Sequence, residues 1–270
     1  MRRYIKGAII ITIIFGLYYC TSESNPSQPG GGTVPNAANF YPGGLGTSLQ
    51  YKVDTLNRNT NMYDSVGTRT STFDRMEVID STQYIVQVNN TVVDTLMLPG
   101  ELRFRRTSNG IYFFIDTTGF SEVVPDSLIQ QYQLTISIDD EFNGFSSQAL
   151  SSGSWNAFKL NISVGTLITI SVVDVTANYL GEENIFIKQT RTNAKAKKIE
   201  YKIKLSIPNP NNPTQFDVQE YTATGWYVEN IGLVRLRGNG LLVNTITTGT
   251  IDFADTTKSI DQTLGSYNLL

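Results

Sequence analysis

The residues best suited to chemistry lie in one run, Asp139-Asp140-Glu141-Phe142-Asn143-Gly144. Asp139, Glu141 and Asn143 place oxygen donors at the first, third and fifth positions, with glycine at the sixth. That is the opening spacing of an EF-hand calcium loop. The acid such a loop carries at its twelfth position is replaced by Leu150, and no helical pattern clearly flanks the run. A calcium site at Asp139, Glu141 and Asn143 therefore stands beside a plainer reading, an acidic surface turn.

The 270-residue chain contains no histidine and one cysteine, Cys20. Without histidine there is no Ser-His-Asp or Cys-His catalysis, no His-ligated zinc and no His-bound haem. Serine hydrolase patterns also fail, because "GFSSQ" is not G-x-S-x-G and no S-x-x-K occurs. "DTTG" at 116–119 is only loosely similar to the D-T-G of aspartic proteases. A carboxylate pair for glycoside hydrolysis must sit within roughly 5–10 Å in space, which linear order does not reveal. The expectation is a non-catalytic protein without a cofactor, and the alternatives are a carboxylate-based envelope hydrolase acting on glycans or a structural or adhesive surface protein.

Cys20 points to location. Arg2, Arg3 and Lys6 form a cationic head, and Gly7 to Tyr19 is an uncharged, mostly apolar run. The run suits a signal-peptide core and falls short of the roughly 20 apolar residues that span a bilayer. After Cys20 comes "TSESNPSQPGGGTVPN", polar and rich in Gly, Pro and Ser. The layout resembles a bacterial lipoprotein signal, although Tyr18 and Tyr19 stand where that motif prefers small residues. The resemblance implies that the Cys20 thiol is diacylated and becomes the first mature residue. An uncleaved N-terminal anchor is the competing reading.

Acyl chains contribute about 0.8 kcal/mol per buried CH₂, so two or more hold a protein stably on a membrane. The expected organisation is a signal peptide at 1–19, a flexible tether at 20–36 and one β-rich domain at 37–270. Losing Arg2, Arg3 and Lys6 moves the net charge from −3 to −6. An acidic mature chain without a clustered basic face argues against nucleic acid. The expected partners are a membrane, through the acyl chains, and an apolar ligand or an envelope protein. The expected location is the cell envelope, at the outer membrane.

The elements that must position any site read as strands. Leu49, Tyr51 and Val53 alternate with Gln50, Lys52 and Asp54. Residues 70–116 read as a meander of about five strands, with hairpin signals at Asn89-Asn90 and at Ser108-Asn109-Gly110. "PDSLIQQYQL" from Pro125 opens a short helix or a strand, and "SSQALSSGS" reads as a loop. Further strands are expected at 155–161, 166–177, 184–192, 197–206, 215–222, 225–229 and 231–237. "PNPNNP" at 208–213 is expected to be a loop, since proline cannot donate to a ladder. "VRLR" and "LLVN" read as strands joined through Gly238-Asn239-Gly240.

In "KKIEYKIKLS", Ile199, Tyr201, Ile203 and Leu205 face inward. The lysines of that region could meet anionic groups, but their alternation fits a solvated sheet face. Trp155, Trp226, Tyr227, Phe113 and Phe114 could stack on sugars, although core and half-buried strand positions account for most of them. The fold expected is all-β with little helix. It is either one curved antiparallel sheet, a half-barrel, or a β-sandwich.

Two stretches carry a further resemblance, "FYPGGLGTSLQYKV" (Phe40 to Val53) and "GWYVENIGLVRLR" (Gly225 to Arg237). They resemble the opening and closing signatures of uncharacterised β-rich secreted bacterial proteins, similar to the curved half-barrels of the LolA/LolB-like lipoprotein carriers. Leu49 stands where that group usually has Trp. The resemblance implies a curved sheet with a concave apolar face, and it transfers no catalytic residue.

Overall fold

Alternating apolar residues from Ser48 onward produce strands that all find antiparallel partners. The computed structural model describes residues 34–93, 96–115, 133–164, 168–209, 212–249 and 256–270. Cys20, the "DTTG" stretch and residues 125–132 lie outside the described residues. Val34–Leu270 forms one compact unit.

The first seven strands are β1 (Ser48–Asn57), β2 (Met62–Ile79), β3 (Thr82–Val93), β4 (Leu96–Arg106), β5 (Gly110–Phe114), β6 (Leu134–Ile138) and β7 (Glu141–Ser146). After the helical turn α1 (Ala149–Ser152) come β8 (Ser154–Val164), β9 (Ile168–Ile187), β10 (Thr192–Asn209), β11 (Asn212–Val228) and β12 (Gly232–Asn239). Helix α2 (Gly240–Thr248) and strand β13 (Ser259–Asn268) follow, and a 3-10 turn at Ala37–Phe40 precedes β1.

The strands form one open sheet in the order β6-β8-β9-β10-β11-β12-β13-β1-β2-β3-β4-β5-β7. A single sheet decides between the two expected forms, the curved sheet over the sandwich. Register shifts at Gln50/Tyr51, Val53/Asp54 and Trp226/Tyr227 mark bulges, which raise local twist and bend the strands. The outermost strands β6 and β7 are not paired with each other by a backbone ladder. Beside the edge, the Trp155 indole donates to the Asn143 carbonyl at 2.8 Å and the Tyr201 phenol donates to the Gly144 carbonyl at 2.5 Å.

The inward alternation holds where it was strongest. Leu49, Tyr51 and Val53 are buried, as are Ile199, Tyr201, Ile203 and Leu205. Phe113, Trp226 and Tyr227 are buried too, while Trp155 and Phe114 are half-buried. The turn at Ser108-Asn109-Gly110 links β4 to β5 as expected.

Other local readings are corrected. Asn89-Asn90 lies inside β3, and the chain reverses instead at Asp80-Ser81, whose φ values are 46° and 69°. The expected break between 177 and 184 is a bulge at Gly181 (φ 99°) within the continuous strand β9, where the register against β10 shifts. Strand β11 also runs through Gly225, because that residue is paired on both sides, to Ile199 and to Leu236. "PNPNNP" supplies strand ends, with Pro208 opposite Phe216 and Asn209 opposite Asn212. "SSQALSSGS" includes the helical turn α1.

"LLVN" is helix rather than strand. The Asn239 side chain accepts from the Leu241 N–H at 3.1 Å, which caps the first turn. Gly249 ends the helix in the left-handed region at φ 71°. Leu241, Leu242, Val243 and Ile246 are all at most 1% exposed. A short helix that opens on a buried apolar run, Leu241-Leu242-Val243, has the same local signal as a buried strand.

Candidate functional site

Five buried polar residues of the sheet, Arg69 and Ser71 on β2, Gln87 and Asn89 on β3 and Gln262 on β13, share the inner face, while buried Asp261 pairs with Arg235 on the other face. In β2 the positions Gly67, Arg69, Ser71 and Phe73 alternate with Thr68, Thr70 and Thr72, and the period carries Arg69 and Ser71 to the buried side. Ser71 pairs with Asn89 and Arg69 with Thr91 across to β3, while Tyr51 of β1 lies on the other side of Arg69.

A hydrogen-bonded chain crosses this face. The Tyr41 phenol donates to Gln87 Oε1 at 2.9 Å, and Gln87 Nε2 donates to Asn89 Oδ1 at 2.8 Å. Ser71 Oγ donates to the same Asn89 oxygen at 2.6 Å, and Asn89 Nδ2 donates to the Thr247 carbonyl at 2.8 Å. The last bond satisfies a carbonyl at the C-terminal end of α2 and ties the helix to the sheet. Satisfied chains of this kind hold a buried face in one arrangement.

Arg69 lies beside this chain without being absorbed into it. The residue is 2% exposed, and among the described residues no carboxylate forms an ion pair with it. Its Nε and Nη1 N–H groups have no hydrogen-bond partner there. The guanidinium lies over the Tyr51 ring, 4.3 Å from the centroid. Burial holds the guanidinium below its usual range, while the Tyr51 and Tyr41 phenols act in the opposite direction. Burial pushes the Tyr51 phenol up to about 12, against the lowering effect of Arg69. That phenol donates to the Leu233 carbonyl at 2.9 Å.

Next to Arg69 the inner face opens into a cleft of about 810 Å³, between the ends of β1 to β4, the start of β13 and α2. Val53, Leu56, Val66, Val93, Leu98 and Ile260 supply its apolar wall. Thr91, Thr247 and Gln262 line it on the side of the polar chain, and Arg58 and Lys258 contribute two cations. Arg58 Nη2 donates to the Thr257 carbonyl. Gln262 is 4% exposed, and its Oε1 has no partner among the described residues. The described lining holds no Asp or Glu, so the cleft offers no carboxylate pair for acid–base chemistry.

The residues singled out from sequence sit elsewhere. Asp139 follows β6, and its Oδ2 accepts from the Lys159 N–H at 2.7 Å. Glu141 opens β7 and takes a two-pronged contact from Arg105, with both N···O distances 2.6 Å, together with the Tyr84 phenol at 2.7 Å. Burial and the Glu141 contact push that phenol up to about 12. Asn143 pairs with Tyr112 of β5, and its Oδ1 is buried without a partner among the described residues. Asp139 and Glu141 are thus engaged by different protein groups. Among the described residues no group of three or more His, Cys, Asp or Glu side chains could hold a metal ion.

The lysines of β10 have acidic neighbours: Lys197 meets Glu182 at 2.5 Å, Lys198 meets Glu183 at 2.9 Å and Lys202 meets Glu220 at 2.5 Å. Arg69, Gln262 and the Gln87–Asn89 pair were missed by motif reading, because no motif contains them. The signal that reaches them is strand parity, which places an arginine on the same side as Phe73 and Tyr51.

No family model matches the chain, and no curated protein matches it. Three solved structures show distant similarity to the chain. A candidate exported protein with a YmcC-like fold from Bacteroides fragilis has 12% identity and a TM-score of 0.44, covering 85% of this chain and 98% of that one. A candidate lipoprotein from Parabacteroides distasonis has 12% identity and a TM-score of 0.46 with the same coverages, 85% and 98%. The hypothetical lipoprotein YmcC from Escherichia coli has 11% identity and a TM-score of 0.31, covering 83% and 85%. Similarity at these values assigns neither fold nor function to this chain.

Proposed function

We propose that this chain is a non-catalytic, lipid-anchored protein of the cell envelope that holds an apolar ligand in the cleft beside α2. The anchor rests on the cationic head, the apolar run and Cys20, followed by a polar Gly/Pro/Ser-rich segment. Acyl chains on Cys20 fasten the domain to the outer membrane, and the segment from Thr21 serves as a tether.

The observation that carries the ligand reading is the cleft itself, about 810 Å³ with a largely aliphatic wall and a few polar groups at one side. Cavities of roughly 300–1,000 Å³ with that lining are typical of small-molecule sites. Exposed Leu96, Met97 and Leu98 stand at the start of β4, where Leu96 and Leu98 also line the cleft. They leave apolar surface at its edge, through which a lipid-like molecule can enter.

The test is native mass spectrometry on the chain from position 20 onward, carrying Cys20→Ser so that no acyl chain is attached. A bound mass of fatty-acid or phospholipid size, released on denaturation, is the expected result. A bare mass that persists after incubation with envelope lipids overturns the ligand reading and leaves display of a protein-binding surface.

A further inference from the structure

We infer that the cleft takes a single-chain amphiphile with an anionic oxygen head, that the head is bound by Arg69, and that the alkyl chain runs outward along Val53, Val66, Val93 and Leu98. This rests on the cleft being a ligand site.

The first support is the state of Arg69. A buried guanidinium without a counter-charge is costly, since a buried charge is normally paired or fully hydrogen-bonded. Here the described residues supply a Tyr51 ring at 4.3 Å and leave the Nε and Nη1 N–H groups without partners. Arginine presents its N–H groups as a planar fork, which matches the paired oxygens of a carboxylate or phosphate. A head group with those oxygens supplies both the missing acceptors and the missing charge.

The second support is position. Arg69 is paired with Thr91, which lines the cleft, and lies one inner-face step beyond Gly67 on the same strand. Gly67 itself is paired with Val53 and Val93, both of which line the cleft. A Cβ there would stand 1.8 Å from the Val92 carbonyl oxygen, so only glycine fits. The fork lies over the Tyr51 ring, one inner-face step inside the lining residue Val53, and Arg69 is not itself part of the lining, so the head reaches it past Thr91 and Gln262.

The third support is Gln262, which lines the same cleft, is 4% exposed and has an Oε1 without a partner among the described residues. It is a second buried polar group facing the ligand space. A half-turn of its amide offers N–H donors to an anionic head. The described lining contains no acid that would repel such a head.

The experiment is isothermal titration calorimetry on the chain from position 20 with Cys20→Ser, using dodecanoate, dodecyl phosphate and dodecanol below their micellar concentrations. Both anions are expected to bind at least about tenfold more tightly than the alcohol, the contribution of charge-assisted hydrogen bonds. Whichever anion binds more tightly identifies the head as carboxylate or phosphate. Arg69→Met is expected to abolish the preference for anions while the alcohol still binds, and Arg69→Lys to keep part of it.

Equal binding of dodecanol and the anions by the wild-type chain overturns the Arg69 assignment and leaves the cleft as a purely apolar site. An undiminished anion preference in Arg69→Met overturns it as well, and moves the head to Arg58 and Lys258. If none of the three amphiphiles binds, the ligand reading of the cleft falls together with this inference.

Discussion

Strands β8 to β11 and strands β13 and β1 to β4 belong to one sheet, yet their inner faces are built from different residues. The β8–β11 face is aliphatic and aromatic, with Phe158, Leu160, Val173, Val175, Ile199 and Ile203 all at most 3% exposed. Its buried hydroxyls are satisfied, since the Tyr201 and Tyr227 phenols lie 2.8 Å apart and Tyr201 also reaches the Gly144 carbonyl. The other face buries Arg69, Ser71, Gln87, Asn89 and Gln262, and two of these side chains keep polar atoms without partners among the described residues. Interiors built for stability satisfy their buried polar groups, whereas sites that must receive something leave them unsatisfied. The contrast separates a half whose inner face is apolar from the half to which the proposed ligand is assigned.

The largest expected effect lies in the first half. Phe158 is 1% exposed on β8. Phe158→Ala is expected to cost about 3–5 kcal/mol in chemical denaturation, because the cavity adds to the lost burial. A cost near 1 kcal/mol would mean that this half tolerates voids, and the contrast with the cleft would lose its basis.

A second test concerns the buried phenols, where Tyr51 sits against the guanidinium. Its pKa is raised in the folded state to about 12, above an unfolded value of about 10. A raised folded value means that the stability is complete below the unfolded pKa and declines as pH rises from about 10 toward about 12, since the unfolded chain then releases a proton that the folded chain keeps. The shift of about two units corresponds to about 3 kcal/mol. Denaturation midpoints measured from pH 8 to pH 11.5 should fall at the alkaline end, and Tyr51→Phe should reduce the fall. An identical alkaline slope in Tyr51→Phe would assign the loss to the phenols around Tyr201 instead.

The two halves also differ in how far they can be read from sequence. Parity alone located the inward residues of β1 and β10, since Tyr51 and Tyr201 each sit in an unbroken alternation. Helix α2 reads as a strand because Leu241, Leu242 and Val243 form an unbroken apolar run, and its cap Asn239 also fits a hairpin. Asn89-Asn90 was misread because asparagine serves a turn and a buried amide network equally well, and only the position of Thr247 decides between them. The calcium spacing at Asp139 to Gly144 is local, whereas the partners of Glu141 come from Tyr84 and Arg105, 57 and 36 residues away. The cleft was the least legible, because its walls come from five strands and a helix, and Arg69 belongs to no motif.

That arginine gives the smallest expected change in stability and the most direct comparison between the halves. Replacing buried ionic groups by apolar residues of similar size often stabilises by roughly 1–4 kcal/mol, because desolvation exceeds the attraction recovered. Arg69→Met in the ligand-free chain should therefore raise stability, toward the lower end of that range because the contact with the Tyr51 ring is lost. A gain from removing a buried side chain is the opposite of what Phe158→Ala should show, and it fits a residue kept for binding at a cost to the fold. The two variants measured side by side in urea make the comparison. If Arg69→Met instead destabilises by more than about 1 kcal/mol, the guanidinium is a structural member of the Tyr41–Asn89 face, and the cleft half is an ordinary core with a polar composition.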